Sequence, residues 1–195
     1  MRGEILWEPP VDALERTQVG AYLPWLSRTH GIELTNYRDL WQWSVDDLDA
    51  FWQSVAEWTG TRWHDVPERA LTSSEMPGTR WFVGGSLNYA EHALRAAEVL
   101  GDQTALVAHS QTRAPIALSW AELADAVARC RAGLQRMGVG IGDRVVAYTP
   151  TIPETTVAFL ATASLGAIWS SCAPEFGTKS VVDRFAQVEA GLAEA

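Results

Sequence analysis

The chain has 195 residues, 20% charged and 47% hydrophobic, with a formal net charge of −9. At roughly 150 residues per domain this is one domain plus an appendage, large enough to bury about 70% of its unfolded surface in a true core. The composition excludes a disordered chain; 15 Gly with 9 Pro exclude collagen and low complexity, two cysteines exclude a disulfide framework, and the acidic balance leaves no basic stripe for nucleic acid.

The first half reads as helices. Between about Leu14 and His30 the apolar positions Val19, Tyr22, Leu23 and Leu26 fall on one face of a single helix, which Gly31 stops. A short helical piece comes next at Tyr37–Trp43. Ser44-Val45-Asp46-Asp47 has the spacing of a capping box, with Leu48, Phe51, Trp52 and Val55 striped behind it and Thr59-Gly60 at the end. Residues 60–87 lack a period and read as an irregular connector with short extended pieces. Asn88, with Glu91 three positions on, caps a helix that carries Ala90, Leu94 and Ala97 on one face and ends at Gly101-Asp102.

The second half alternates. Thr104–His109 and Ile116–Leu118 predict two strands joined by the polar turn Ser110–Ala114, a hairpin. Ser119-Trp120-Ala121-Glu122 is a second capping box, with Leu123, Val127, Cys130, Leu134 and Met137 on one helical face behind it and Gly138 and Gly140 at the end. Arg144–Tyr148 predicts a buried parallel strand. Thr151-Ile152-Pro153-Glu154 is a third capping box, and its helix runs to about Leu165, with Gly166 as the stop. Ala167–Ser171 predicts another buried strand, and Val181, Val182, Phe185 and Val188 mark a last amphipathic helix. Strand, helix, strand is a βαβ unit, so this half opens an α/β sheet.

The uncharged run of 20 residues from Thr155 to Pro174 approaches the length of a membrane span. Ser164, Ser170, Ser171, Thr155, Thr156 and Thr162 make it polar, and Gly166 divides it into a helix and a strand, so no membrane is expected. Met1-Arg2-Gly3-Glu4 leads into no apolar signal core, which points to a cytoplasmic chain. The charge divides unevenly: residues 1–100 carry 8 Arg against 15 Asp+Glu, or −7, and residues 101–195 carry 7 Lys+Arg against 9 Asp+Glu, or −2. Two units are therefore expected, an acidic Trp-rich helical one at 1–100 and an aliphatic one at 101–195.

No self-sufficient catalytic constellation is visible. His30, His64, His92 and His109 have no partner at metal-ligand spacing, so no metal site is expected. Cys130 sits on an apolar helix face and reads as core. Cys172 ends a strand, where α/β folds bind ligands, yet packing remains the better reading because no cation stands near to activate it. Gly138-Val139-Gly140-Ile141-Gly142 precedes a strand instead of coming after one, which makes it a helix-to-strand connector and not a dinucleotide fingerprint. Gly84-Gly85 is a tight turn. Of the 10 Trp residues, eight lie within the first 81 positions. Trp41, Trp43, Trp52, Trp58, Trp63 and Trp81 lack the basic neighbours of a base-stacking surface and read as glue between the helical segment and the downstream domain. Lys179 is the single lysine, a feature put down to codon usage.

Several segments resemble the acetoacetyl-CoA synthetases, members of the acyl-adenylate-forming, acetyl-CoA synthetase-like family. They are Trp41-Gln42-Trp43-Ser44-Val45, Asp47-Leu48, Phe51-Trp52, Trp81-Phe82, Leu87-Asn88-Tyr89-Ala90-Glu91-His92, Tyr148-Thr149-Pro150 with Pro153-Glu154, Leu165-Gly166-Ala167-Ile168-Trp169-Ser170-Ser171-Cys172-Ala173-Pro174-Glu175-Phe176-Gly177, and Asp183-Arg184-Phe185-Ala186-Gln187. Acetyl- and propionyl-CoA synthetases share the Phe-Trp and Trp-Phe…Leu-Asn elements and differ more around Trp169–Gly177. The resemblance implies a ligase that uses ATP, CoA and Mg2+: a carboxylate and ATP form an acyl-adenylate with release of pyrophosphate, and the CoA thiolate then displaces AMP. It implies a fold of a helical N-terminal cap ahead of the first β-hairpin and βαβ unit of the large adenylate-forming domain, incomplete at this length.

The family's Thr/Ser-Gly-Ser/Thr-Thr/Ser-Gly phosphate loop with its lysine is absent from the sequence, as are the ribose-binding acid and the adenylation lysine, and Lys179 matches neither lysine's context. No catalytic residue carries over. Only Ala173, Pro174 and Glu175 do, at a turn that lies near the CoA site and is Gly-rich in related enzymes; here Pro and Glu replace the glycines. After Val188-Glu189 the tail Ala190–Ala195 departs from the family pattern. The expectation is an N-terminal fragment that binds no cofactor and has no activity alone. The alternatives are a fragment of an acetyl- or propionyl-CoA synthetase, or a non-catalytic truncated product acting only by binding, with self-association through an exposed sheet edge.

Overall fold

The computed structural model describes residues 3–188, so the departure seen at Ala190–Ala195 lies outside the described residues. The chain divides into two compact units, Met1–Leu87 and Asn88–Ala195.

In the first unit the single helix expected from Leu14 to His30 is two, α1 (Ala13–Arg16) and α2 (Gln18–His30). Between them Thr17 is extended (φ −109°, ψ 160°), and its hydroxyl oxygen accepts from the Gly20 amide at 3.2 Å. An N-cap threonine inside an apolar period looks like an ordinary exposed position, so the pattern hides the break. Glycine at 20 lets α1 lie against α2, because an added Cβ would collide with the Leu14 carbonyl. Gly31 stops α2 as expected, with φ 67° and its amide donating to Ser27 O.

α3 (Tyr37–Asp46) runs past the expected end at Trp43, and α4 (Leu48–Trp58) comes after it. The capping box at Ser44 does not form. Ser44 lies inside α3, its hydroxyl donating to Trp41 O at 2.7 Å, while Asp47 caps α4 by accepting from the Ala50 amide at 3.0 Å. Aspartate wins because its carboxylate both accepts the bond and suits the positive helix end.

Leu26 is fully buried, beside Tyr22, Leu23 and Leu40, with Trp25, Trp43, Phe51, Val55 and Trp58 packed on them. The Tyr22 and Ser54 hydroxyls meet at 2.6 Å in this core; burial pushes the phenol up, against the pull of the Ser54 bond. The tryptophans pair with rings of their own unit: Trp25 with Trp58 at 5.3 Å, Trp52 with Trp81 at 5.9 Å, Trp63 with Phe82 at 5.2 Å.

Residues 60–87 are irregular as expected. Isolated bridges join Asp65 to Ser86 and Leu71 to Trp81, and the Leu71 amide donates to Asp49 of α4 at 2.6 Å. Phe82 sits at φ 45°, a left-handed conformation costing about 1–2 kcal/mol for a residue with a Cβ. Its amide donates to Ala70 O and its carbonyl accepts from Gly85, which hold it there.

The second unit comprises α5 (Tyr89–Leu94), α6 (Ala97–Leu100), β1 (Thr104–Ala108), β2 (Ile116–Ser119), α7 (Trp120–Arg136), β3 (Arg144–Tyr148), α8 (Pro153–Ser164), β4 (Ile168–Cys172) and α9 (Thr178–Gln187). The helix expected from Asn88 is interrupted at Arg95–Ala96, where the Glu98 and Val99 amides turn to carbonyls three residues back. Asn88 caps α5 through Glu91 as expected, and its side-chain amide also donates to Ala163 O of α8 at 3.0 Å.

β1 and β2 form the expected antiparallel hairpin, and the Ser119–Glu122 capping box is complete. The third box is not. Ile152 holds the N-cap position of α8 with no side-chain bond, because Pro153 takes the first helical position and leaves Thr151 one residue too early. Ala90, Leu123, Val127, Leu160 and Ala161 are the core, and Cys130 packs against it, its thiol pushed up by burial.

β3 and β4 are parallel, from Arg144 opposite Ile168 to Tyr148 opposite Cys172, and complete the βαβ unit. They are less buried than a central parallel strand: Arg144, Tyr148 and Ile168 are exposed, while Cys172 is buried. Among the described residues each sheet has two strands, so no third strand covers these positions. The uncharged run divides into α8, a turn at Gly166 (φ 70°) and β4, and none of the described helices is long and apolar enough to cross a membrane.

Candidate functional site

Parallel β3 and β4 end side by side, and α8 leaves from the carboxyl end of β3. Loops at this edge are where α/β sheets take ligands. Here the chain forms a cleft of about 260 Å³ between Thr149, Thr155, Phe159, Trp169, Ser171 and Ala173. Its floor is aromatic, Phe159 and Trp169 meeting edge to face at 6.1 Å. Its rim is neutral and polar. The Thr149 and Thr155 hydroxyls lie 2.8 Å apart, and Thr155 donates to Pro150 O at 2.8 Å.

Beside the cleft runs the turn after β4. The Thr149 amide donates to Cys172 O at 3.1 Å and so extends the parallel pairing one residue past the strand. Ala173 is half-buried; Pro174 and Glu175 are exposed. The Phe176 amide closes the turn onto Ala173 O at 3.1 Å. The Tyr148 hydroxyl reaches Pro174 O at 2.7 Å and Phe176 O at 2.9 Å. Arg184 of α9 lies over the Phe176 ring, 4.7 Å from its centroid.

The three residues expected at the ligand side therefore sit together at the strand ends, next to Cys172, which is buried and packs as expected. The structure adds Tyr148, Thr149 and Thr155, which sequence reasoning did not single out. Tyr148 and Thr149 stood in the sequence only within the resembling segment Tyr148-Thr149-Pro150, and Thr155 carried no site signal. Lys179 is exposed in the first turn of α9.

The donor set is neutral, and no cationic side chain lines the cleft. Among the described residues no three of His, Cys, Asp and Glu are grouped to hold a metal ion. The cleft's lining thus supplies no charged partner for a triphosphate or for Mg2+. Ala173 and Pro174 present small apolar surface at the strand ends, and Glu175 adds an exposed carboxylate. A larger cleft of about 310 Å³ lies in Met1–Leu87 among Tyr22, Tyr37, Trp41, Ser44, Phe51 and Trp58, with no His, Cys, Asp, Glu, Lys or Arg in its lining.

Arg113 of the hairpin loop meets Glu154, in the first turn of α8, through two bonds at 2.7 and 3.2 Å. The guanidinium holds the Glu154 carboxyl below its usual range, helped by a backbone bond. A depressed carboxylate stabilises the fold above its unfolded pKa, and that contribution fades as pH falls through the folded value. Arg113→Ala should move the Glu154 midpoint upward, toward the ordinary carboxylate range, in a carbon-13 NMR titration; an unmoved titration midpoint would show that the ion pair does not form in solution.

Comparison with known proteins gives matches along the chain in the same order. The model of the acetyl-coenzyme A synthetase N-terminus matches residues 37–93, and that of the AMP-binding enzymes matches residues 94–193. Acetoacetyl-CoA synthetase from Danio rerio is 38% identical over 197 residues, covering 98% of this chain and 28% of that protein. The Rhizobium meliloti acetoacetyl-coenzyme A synthetase is 36% identical over 94% of the chain and 28% of its own length. The solved acetoacetyl-CoA synthetase from Streptomyces lividans superposes with a TM-score of 0.88 at 45% identity, covering 96% of this chain and 29% of that one. The chain thus spans a little over a quarter of the length of these relatives.

Proposed function

This chain belongs to the AMP-binding enzyme family, and from that premise we propose that it supplies the N-terminal part of an acetoacetate–CoA ligase. The reaction joins acetoacetate to CoA at the expense of ATP, giving acetoacetyl-CoA, AMP and pyrophosphate. The observation that carries the reading is the ordered likeness to acetoacetyl-CoA synthetases over nearly the whole chain, in sequence and in structure. On this reading residues 1–100 form the Trp-rich cap and residues 101–195 the beginning of the adenylating domain. Ala173, Pro174 and Glu175 form the turn on the CoA side, and the ligase works in the cytoplasm. ATP, CoA and Mg2+ serve the complete ligase. On this reading the adenylation step is carried by parts of the complete ligase other than the strand-end cleft, whose lining is uncharged. Unpaired edges of β3 and β4 offer the isolated chain a route to self-association.

The isolated 195-residue chain is expected to lack ligase activity, because its sequence contains neither the phosphate loop nor a lysine in a matching context. The assay is AMP formation dependent on both acetoacetate and CoA. Its positive counterpart is a hybrid in which this chain replaces the matching part of the Streptomyces lividans enzyme. The hybrid should turn over and the isolated chain should not. Activity from the isolated chain, or an inert hybrid, would overturn the reading.

A further inference from the structure

We infer that Tyr148 is a positioning residue whose hydroxyl holds the Ala173–Phe176 turn in the shape that meets CoA. The inference rests on the reading of that turn as the CoA side.

The geometry is specific. Tyr148 is the last residue of β3 and pairs in register with Cys172, the last residue of β4. From there its phenol crosses to the turn of the neighbouring strand and meets two carbonyls, Pro174 O at 2.7 Å and Phe176 O at 2.9 Å. Two carbonyls two residues apart converge on one hydroxyl only if the backbone between them bends. The bend is closed from the other side by the Phe176 amide on Ala173 O. Pro174 fixes its own φ and cannot contribute an amide. Arg184 presses on the Phe176 ring and anchors the far end to α9.

These contacts do the work that backbone freedom cannot. A glycine-rich turn adapts to its ligand and loses entropy in doing so. A turn with Pro174 and Glu175 cannot adapt in that way and must be held ready beforehand. Preorganisation of this kind raises affinity by removing the ordering cost from the binding step. Tyr148 is half exposed (52%), and the turn residues Pro174 and Glu175 are exposed as well. Removal of its hydroxyl should weaken CoA binding and leave the adenylation half of the reaction alone, since the hydroxyl bonds only to the turn.

The test uses Tyr148→Phe, which keeps the ring and removes the hydroxyl. In the 195-residue chain, amide exchange at Phe176 should quicken about tenfold, while Ser170 and Cys172 in β4 stay within about twofold. In the hybrid ligase, KM for CoA should rise about tenfold, with acetoacetate-dependent pyrophosphate exchange within about twofold of the parent. An unchanged KM for CoA overturns the inference, and so does an equal fall in both half-reactions, which marks a merely structural role. Ala173→Trp in the same hybrid separates the two ideas. If it leaves KM for CoA unchanged, the turn is not on the CoA side and the reading itself fails. If it raises KM while Tyr148→Phe does not, only the positioning role fails.

Discussion

Leu26→Ala is expected to destabilise the N-terminal unit by about 2–5 kcal/mol. Leu26 has no solvent exposure and stands at the centre of the cluster formed by Tyr22, Leu23 and Leu40. Truncation removes three buried carbon atoms and leaves a cavity walled by Trp25, Trp43, Phe51 and Trp58. Rings of that size are stacked and edge-packed on one another, so they cannot collapse into an isopropyl-sized gap without giving up contacts elsewhere. The cost should therefore fall in the upper part of the range. For a unit of this size it corresponds to a loss of at least about 8 °C in melting temperature, monitored by the fluorescence of the eight tryptophans it holds. A loss below about 1 kcal/mol would mean that these rings are not close-packed.

Leu160→Ala should be the counterpart in the second unit, again costing about 2–5 kcal/mol. Leu160 is 5% exposed and packs α8 onto Leu123 and Val127 of α7. Its neighbour Phe159 packs against the same core and also lines the strand-end cleft beside Trp169. One helix thus serves both the core and the candidate site. Loss of the core contact should loosen the cleft as well, seen as faster amide exchange at Thr155 and Thr156 alongside the drop in stability. If stability falls with no change at those amides, α8 is held in place by its ends and not by this packing.

Much of the architecture was legible in the residues. The helical first half, the hairpin, β3 and β4 as separate strands and the cap at Ser119 all follow from period, turn chemistry and capping, because each depends on residues close together in the chain. The helix expected from Asn88 broke at Arg95–Ala96 and β3 and β4 proved less buried than expected, and three further readings failed at helix starts. Thr17 ended a helix inside an unbroken apolar stripe. Asp47 took the cap that Ser44 was expected to supply. Pro153 moved the start of α8 past Thr151. In each case the spacing satisfied a pattern, and the choice lay with whichever group bound the free amides better or set φ directly.

The candidate site was legible only in part. Resemblance pointed to Ala173, Pro174 and Glu175, and strand order placed them at a carboxyl edge. Nothing in the local sequence joined them to Tyr148, which lies 26 residues before Pro174. By itself the sequence determined the alternation of elements, the capped helices and the family likeness, since these depend on short-range bonding and on residue order. Tertiary structure alone decided that the Tyr148 hydroxyl meets the Pro174 and Phe176 carbonyls. That contact exists because parallel pairing across a helical crossover brings the ends of two strands together, and pairing at such separation is written in no local period.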